Sequence, residues 1–297
     1  MPNQPFTPEE LAIVRRAYAR QIAGAAATMD PRVEAAFAAV ARETFLGDPP
    51  WLVSDLRGGY RPLPCADPVL AYQDTLFALA PDRGVNNGSP SLHARLLVAL
   101  DARPGEHIVH VGAGTGYYTA ILAELVGPAG HVLAIEWDGH LARRAEAALA
   151  DRANVTVITG DGAAWPRQAA DGIYVNFSVP RPAEAWIDKL RPGGRLVLPL
   201  GVPRPERPVT GGRHARHGTA LRIENAQNGF AATSIGPAYF VCADGQLATT
   251  PDELQRLTAA FKRGGIEFVK SLLWKTAPPV ERCWYVGDKW ALCYDEV

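Results

Sequence analysis

The residues best suited to chemistry begin with Val111-Gly112-Ala113-Gly114-Thr115-Gly116, a run that follows a β-branched stretch and precedes a helical pattern. Glycines at these points let the chain turn sharply and approach a ligand closely, and the helix that follows offers unpaired N–H groups. The loop alone is weak evidence, because dinucleotide-binding enzymes share it. Here, however, the third glycine of G-x-G-x-x-G is replaced by Tyr117, which weakens the close helix packing that pyrophosphate binding uses. A second signal is Glu136-Trp137 at the end of the next predicted strand, 24 residues after Gly112. A carboxylate there can accept both hydroxyls of a ribose. A third is Asp161-Gly162 after the third strand, where an acid can meet an adenine amino group. Glycine loop, ribose acid and adenine acid at successive strand ends predict a site for a nucleoside sulfonium donor, S-adenosyl-L-methionine. The expected cofactor-binding residues are Gly112, Ala113, Gly114, Thr115, Gly116, Glu136, Trp137, Asp161, Gly162 and, beyond the fourth strand, Asn176.

Transfer of a methyl group from a sulfonium is an in-line displacement that needs the acceptor atom about 3 Å from the methyl carbon and water excluded. A carboxylate acceptor, with a pKa near 4, is already ionised at neutral pH and needs no base. Hydrogen-bond donors that orient it suffice. Asn86, Asn87 and Ser89, with the N–H groups opening the helix at Ser91, are the candidates, although Asn-Asn-Gly is also what an ordinary turn looks like. A phenol or amine acceptor would gain from a base, for which Asp74, His93 and His110 are nearest. His110, inside a strand pattern, reads first as a packed core histidine.

These groups must be held by elements that the periodicity also predicts. Thr7-Pro8-Glu9-Glu10 opens a helix that runs to about Ile22, and Asp30-Pro31 opens another running to Arg42. Residues 46 to 71, rich in Pro and Gly, read as an irregular surface excursion or lid. Strand and helix patterns then alternate: helix from Ser91, strand from His107, helix from Tyr117, strand from His131, helix from Gly139, and strands from Val155, Ile173 and Arg195. Strict alternation predicts an α/β, doubly wound, mainly parallel sheet of seven strands, the Rossmann-like methyltransferase fold, with N-terminal helices and a C-terminal α+β extension. The expected division is 1–90 (helices and acceptor-side lid), 91–243 (cofactor-binding core) and 244–297 (extension). Residues 201 to 218 read as a solvated loop or flap, Thr219–Ile223 and Ala238–Cys242 as an antiparallel pair, and Pro251–Lys262 as a helix. A hairpin is expected around Gly287-Asp288.

Of 297 residues, 47% are hydrophobic and 21% charged, the formal net charge is −1 and the pI about 6.7. No broad basic field points to nucleic acid or an anionic membrane. The start of the chain lacks the basic and apolar regions of a signal peptide, and no apolar run approaches the roughly 20 residues of a membrane span. A soluble, cytoplasmic protein is expected. Cys65, Cys242, Cys283 and Cys293 show no metal spacing and are expected as reduced thiols with no metal site.

Across roughly residues 30 to 242 the sequence resembles the protein-L-isoaspartate O-methyltransferase family, a class I S-adenosylmethionine-dependent group. The resemblance rests on Arg32-Val33 with Ala39 to Leu46, Ala71-Tyr72-Gln73-Asp74, the glycine loop, Asp161-Gly162 with Trp165, and the stretches Asp171–Val175 and Trp186–Gly201. It implies S-adenosyl-L-methionine as donor, a protein or peptide substrate, and carboxyl methylation of aspartyl or isoaspartyl residues; it leaves monomer or homodimer open. The acceptor side departs from the pattern. The family's acceptor-loop serine falls on Gly88, with Ser89 one place later; Asn176–Pro180 replaces a run of small residues, and Cys242-Ala243 replaces a Pro-Leu. A rebuilt acceptor pocket leaves two other readings, a small-molecule or natural-product O- or N-methyltransferase and a non-catalytic S-adenosylmethionine-binding adaptor. If the pocket is otherwise of family type, Gly88→Ser is expected to raise activity on an isoaspartyl peptide.

Overall fold

The computed structural model describes residues 6–28, 30–55, 59–203 and 214–297. The chain opens with α1 (Pro8–Ala25), capped by a reciprocal Thr7/Glu10 box, and α2 (Pro31–Ala39), capped by the Asp30 carboxylate. Residues 46–71, expected to be irregular, carry instead a short antiparallel ribbon, β1 (Leu52–Ser54) with β2 (Tyr60–Pro62). With Phe77 they also bury a small core, in which Leu46, Trp51, Val53, Leu63 and Ala71 pack together. Apolar residues scattered among prolines gave no period, yet they suffice to close this patch. A second ribbon, β3 (Ala78–Ala80) with β4 (Val85–Asn86), leads into α3 (Pro90–Leu100).

The α/β core follows as expected: β5 (His107–Val111), α4 (Tyr117–Val126), β6 (His131–Glu136), α5 (Gly139–Ala148), β7 (Val155–Thr159), β8 (Ala170–Val175), α6 (Glu184–Asp188) and β9 (Leu190–Pro203). These five strands are mutually parallel. Then come β10 (Ala215–Ala226), β11 (Gly229–Pro237), α7 (Pro251–Arg263), β12 (Ser271–Trp274), β13 (Cys283–Val286) and β14 (Trp290–Cys293). All join one ten-stranded sheet in the order β13-β14-β12-β11-β10-β9-β8-β5-β6-β7. The sheet is therefore wider than the seven strands expected, because the C-terminal segment adds three antiparallel strands at one edge. Residues of α1 to α5 pack into a core on one face, and those of α6 and α7 into a core on the other. Helices on both faces make the fold doubly wound.

Three expectations are corrected. β10 pairs antiparallel with β9 on one side and β11 on the other, and its Thr219–Ile223 stretch does not pair with Ala238–Cys242; the β10–β11 hairpin closes through Gln227-Asn228 with Ala226 opposite Gly229. The small residues of β11 gave too little alternation to be read. The loop expected over 201–218 is strand at both ends, to Pro203 and from Ala215, and residues 204–213 lie outside the described residues. Cys283 and Cys293, expected as thiols, sit opposite each other on β13 and β14 and form a disulfide. Ten residues of separation hid a cross-strand pair that only the hairpin register reveals. Closing a loop of this size is worth about 2–3 kcal/mol. Reduction is expected to raise amide exchange in β12–β14 while β5–β8 keep their protection, as hydrogen-exchange mass spectrometry would show. Among the described residues no helix is long and apolar enough to cross a membrane.

Candidate functional site

Chain order reverses at β5: the chain winds outward through β6 and β7, then returns to place β8 on the other side of β5. A crevice opens at the carboxyl ends of strands at such a switch point. Here it is a cavity of about 500 Å³ walled by residues of the β5, β6, β7 and β8 ends, by the 85–89 loop, and by residues 237–247.

On one wall the glycine loop turns through positive φ at Gly112 (78°), Gly114 (59°) and Gly116 (94°). The first two line the cavity with Ala113 and Thr115. A Cβ at Gly112 would come within 2.7 Å of Phe177 Cδ1, so glycine lets the loop lie against that ring. Gly116, expected to bind ligand, lies outside the cavity; a Cβ there would press on Leu149, so this glycine serves the docking of α4 against the end of α5. Thr115 turns its hydroxyl away from the cavity, onto the Phe45 carbonyl at 2.6 Å.

Glu136 is buried to 8% exposure and accepts from Gly114 N–H at 2.7 Å and Asp138 N–H at 2.9 Å. Burial pushes its carboxyl up, and the N–H groups of Asp138 and Gly114 pull it back down. Trp137 beside it is 59% exposed and lies over Gly245, where a Cβ would sit 3.2 Å from the indole. Asp161 caps the short turn Gly162–Ala164 through Ala163 N–H at 2.9 Å. Asn176 donates to His110 Nε2 at 2.7 Å, and His110 meets Thr119 Oγ1 through Nδ1 at 2.8 Å. Burial drives His110 down to about 3, so it is a neutral orienting group with both nitrogens engaged rather than a base. The Asn176 Oδ1 atom is buried with no partner. A buried acceptor of this kind is costly unless a ligand donor completes it.

Across the cavity stands the 86–89 loop. Asn86 accepts from Gly88 N–H at 2.9 Å and donates to the Tyr60 hydroxyl at 3.1 Å. Asn87 accepts from Phe77 N–H at 2.8 Å, which leaves its Nδ2 buried without a partner. Ser89 donates to Asp74 at 3.0 Å. Asp74, expected among the acceptor-side groups, does not line the cavity. It holds Ser89 Oγ and Ser91 N–H, both at 3.0 Å, and so caps α3 from behind. The described structure thus brings Asn86, Asn87 and Ser89 to the cavity wall and gives Asp74 a supporting place.

Gly88 opposes the expected gain from serine. Its φ is +73°, and a Cβ there would overlap His93 Nε2. Gly88→Ser is now expected to lower stability by about 1–2 kcal/mol and to reduce acceptor turnover, because either the loop or His93 must move. Thermal unfolding and steady-state kinetics of the variant check both.

The sequence reading missed Leu79, Tyr239 and Leu247 on the wall. Their segments lie far from the glycine loop along the chain, and no spacing rule connects them to it.

A sequence model of the family described as protein-L-isoaspartate(D-aspartate) O-methyltransferase matches residues 19–213. A protein-L-isoaspartate O-methyltransferase of Aeropyrum pernix is 39% identical over 139 residues, 45% of this chain and 53% of that protein. One from Nitrosococcus oceani is 36% identical over 183 residues, 60% of this chain and 74% of its own. The matches thus span from about half to three quarters of these relatives. A solved protein-L-isoaspartate O-methyltransferase superposes with TM-score 0.62 at 20% identity, covering 84% of this chain and 69% of the other. A Plasmodium falciparum protein of that description, in complex with S-adenosyl-L-homocysteine, gives 0.59 at 17%, with 77% and 98% covered. At such identities the superpositions speak for the fold.

Proposed function

The chain belongs to the protein-L-isoaspartate(D-aspartate) O-methyltransferase family, and from that premise we propose that it methylates a carboxylate of an aspartyl or isoaspartyl residue in a protein or peptide, with S-adenosyl-L-methionine as donor. The observation that carries the reading is that donor-side and acceptor-side groups wall one cavity. The Gly112–Thr115 backbone, Glu136, Trp137, Asp161, Gly162 and Asn176 stand on one side, and Asn86, Asn87 and Ser89 on the other.

The donor side fits an adenosyl amino acid on its own terms. A Cβ at Gly114 would meet only Leu79, at 3.4 Å, so the loop backbone is open to a ligand there. Glu136 has lone pairs left for two ribose hydroxyls after its two backbone bonds. Asn176 Oδ1 lacks a donor, which an ammonium group would supply. Trp137 offers an exposed face beside Asp161, suited to an adenine ring. When bound, the cofactor supplies a methyl group made electrophilic by its sulfonium. The residues of this chain orient and enclose. The 86–89 loop fixes the acceptor, and Phe177, Tyr118 and Phe240 give the cavity apolar walls that exclude water. No proton has to leave a carboxylate acceptor, in keeping with His93 on the cavity wall and His110 behind Asn176, whose charged forms burial disfavours.

The family match favours a protein or peptide acceptor, and the reading places the chain in the cytoplasm. The exposed thiol of Cys65 suits a reducing compartment, while the Cys283–Cys293 bond would there be subject to reduction.

The test is methyl transfer from labelled S-adenosylmethionine to an isoaspartyl peptide beside its normal aspartyl twin. Base-labile label on the isoaspartyl peptide alone is the expected result. Label on neither, with cofactor binding confirmed by calorimetry, would overturn the repair-type acceptor and turn attention to a specialised one. Turnover on any acceptor eliminates a non-catalytic adaptor.

A further inference from the structure

We propose that His93 is the hydrogen-bond donor that orients the methyl-accepting carboxylate, its Nε2–H occupying the place that Gly88 leaves open. The inference rests on the methyl-transfer reading and narrows it to an acceptor that arrives as an anion.

His93 lies in the first turns of α3, on the cavity wall, and is 2% exposed. Its ring is fixed from three sides. It stacks on Tyr118 with centroids 3.7 Å apart and planes 8° from parallel, and it meets Tyr174 and Phe240 edge-on. Nδ1 is 2.7 Å from the Tyr174 hydroxyl. Nε2 points at residue 88, where the absence of a Cβ and a φ of +73° leave room for it. A side chain at 88 and an imidazole at 93 exclude each other, so this chain has placed its polar group at 93.

The tautomer follows from hydrogen-bond accounting. Tyr174 is fully buried on β8, and burial keeps its phenol protonated by pushing its pKa well above the usual value. That O–H must donate somewhere, and Nδ1 is the acceptor within reach. If Nδ1 carried the proton instead, the phenol hydrogen would be left unsatisfied in the core. The proton of the neutral imidazole therefore sits on Nε2. Burial, with His110 and Arg42 nearby, holds the ring well below its ordinary pKa, so it stays neutral. A neutral ring with its lone pair engaged at Nδ1 and a proton at Nε2 is a donor and not a base. It suits a carboxylate oxygen and gives no help in deprotonating an amine or a phenol.

The step balances without a proton transfer. One carboxylate oxygen supplies the electron pair for the new C–O bond, and the methyl–sulfur bond breaks with its pair going to sulfur. A cation and an anion become a neutral thioether and a neutral ester. The Nε2–H stays on His93 and holds the acceptor carboxylate.

The test compares His93→Phe, which keeps the stacked ring without a donor, with His93→Gln, which keeps an N–H. For Phe, kcat/KM on the isoaspartyl peptide is expected to fall by roughly 30-fold, mainly through kcat, with S-adenosylhomocysteine affinity within about three-fold of the parent. Gln is expected to retain several-fold more activity than Phe. Equal loss in both variants, or activity of the Phe variant within about three-fold of the parent, would overturn the donor role. Nitrogen-15 NMR of histidine-labelled parent protein gives an outcome independent of turnover and of how the variants fold. A protonated Nε2 on His93 is expected, and a protonated Nδ1 overturns the inference. If the parent methylates neither peptide yet shows that tautomer, the substrate reading has failed and the donor at 93 stands.

Discussion

Replacing Glu136 by alanine is expected to weaken S-adenosylmethionine binding by about 2–3 kcal/mol, roughly 30- to 150-fold in Kd. Two effects add. The first is loss of the charge-assisted bonding to the ribose hydroxyls, about 1.5–3 kcal/mol net of the hydration exchanged. The second is internal: the carboxylate tethers Gly114 N–H at 2.7 Å and Asp138 N–H at 2.9 Å. Alanine frees the Gly114 end of the loop, while Gly112 and Ala113 N–H stay on the Ile135 carbonyl, so part of the binding energy goes into reordering the turn at Gly114. Glu136→Gln separates the two, since an amide oxygen can keep one backbone bond but brings no charge, and its loss should be about half as large. Calorimetry with S-adenosylhomocysteine measures all three proteins. An alanine variant that binds within a factor of about three would remove the ribose assignment. Asp161→Ala should cost less, because Asp161 would meet a single adenine amino group whereas Glu136 can meet two ribose hydroxyls.

Glu136 also illustrates what local sequence carries, since an acid closing a strand pattern shortly after a glycine loop is visible along the chain itself. The parallel strands were legible because β-branched runs alternate with helical periods at regular intervals, and the ligand-side residues sit at their ends, where topology brings them together. Gly112, Glu136, Asp161 and Asn176 are separated by tens of residues yet line one cavity because β5 to β8 are adjacent and parallel. Contacts that depend on register or on a single dihedral stayed hidden. The β10–β11 hairpin went unread because Ala231, Ala232 and Gly236 blunt the alternation of its second strand. The Cys283–Cys293 pair needs the register of β13 on β14. Gly116 matched a binding motif but packs on Leu149. Gly88 looked like a missing serine, and only its positive φ and the direction of the His93 ring show that a side chain has no room there. Asp74 had the right neighbourhood and the wrong side of the loop: its partners are Ser89 and Ser91, not the cavity.

Arg42→Met is expected to cost about 3 kcal/mol of stability and to damage the acceptor side while sparing the donor side. Arg42 is wholly buried. It donates to the carbonyls of Ala71 at 2.9 Å, Gln73 at 2.5 Å and Thr75 at 2.7 Å, and its guanidinium lies 5.0 Å from the Phe77 ring centroid, with Tyr18 and Tyr117 also near. Removing a buried charge recovers its desolvation cost, and where both members of a buried ion pair give way to apolar groups the result is often neutral or stabilising. Here the partners are three main-chain carbonyls that no substitution can remove. Each would be left short of a donor at about 1–3 kcal/mol unless water enters, so the loss outweighs the relief. The segment Arg42 ties down, 71–75, contains Asp74, and Asp74 holds Ser89 and caps α3. Slack at Arg42 should therefore reach the 86–89 loop through one carboxylate. The glycine loop and Glu136 are anchored chiefly on β5 and β6, and touch this segment only where Thr115 Oγ1 meets the Phe45 carbonyl and Tyr117 lies beside Arg42. A lowered melting temperature, kcat/KM on the peptide reduced by about ten-fold or more, and unchanged S-adenosylhomocysteine affinity form the expected set. If donor and acceptor affinities instead fall together, the two walls of the cavity are coupled through the core that packs Tyr117 of α4 against Phe45, and the acceptor loop is not independently suspended.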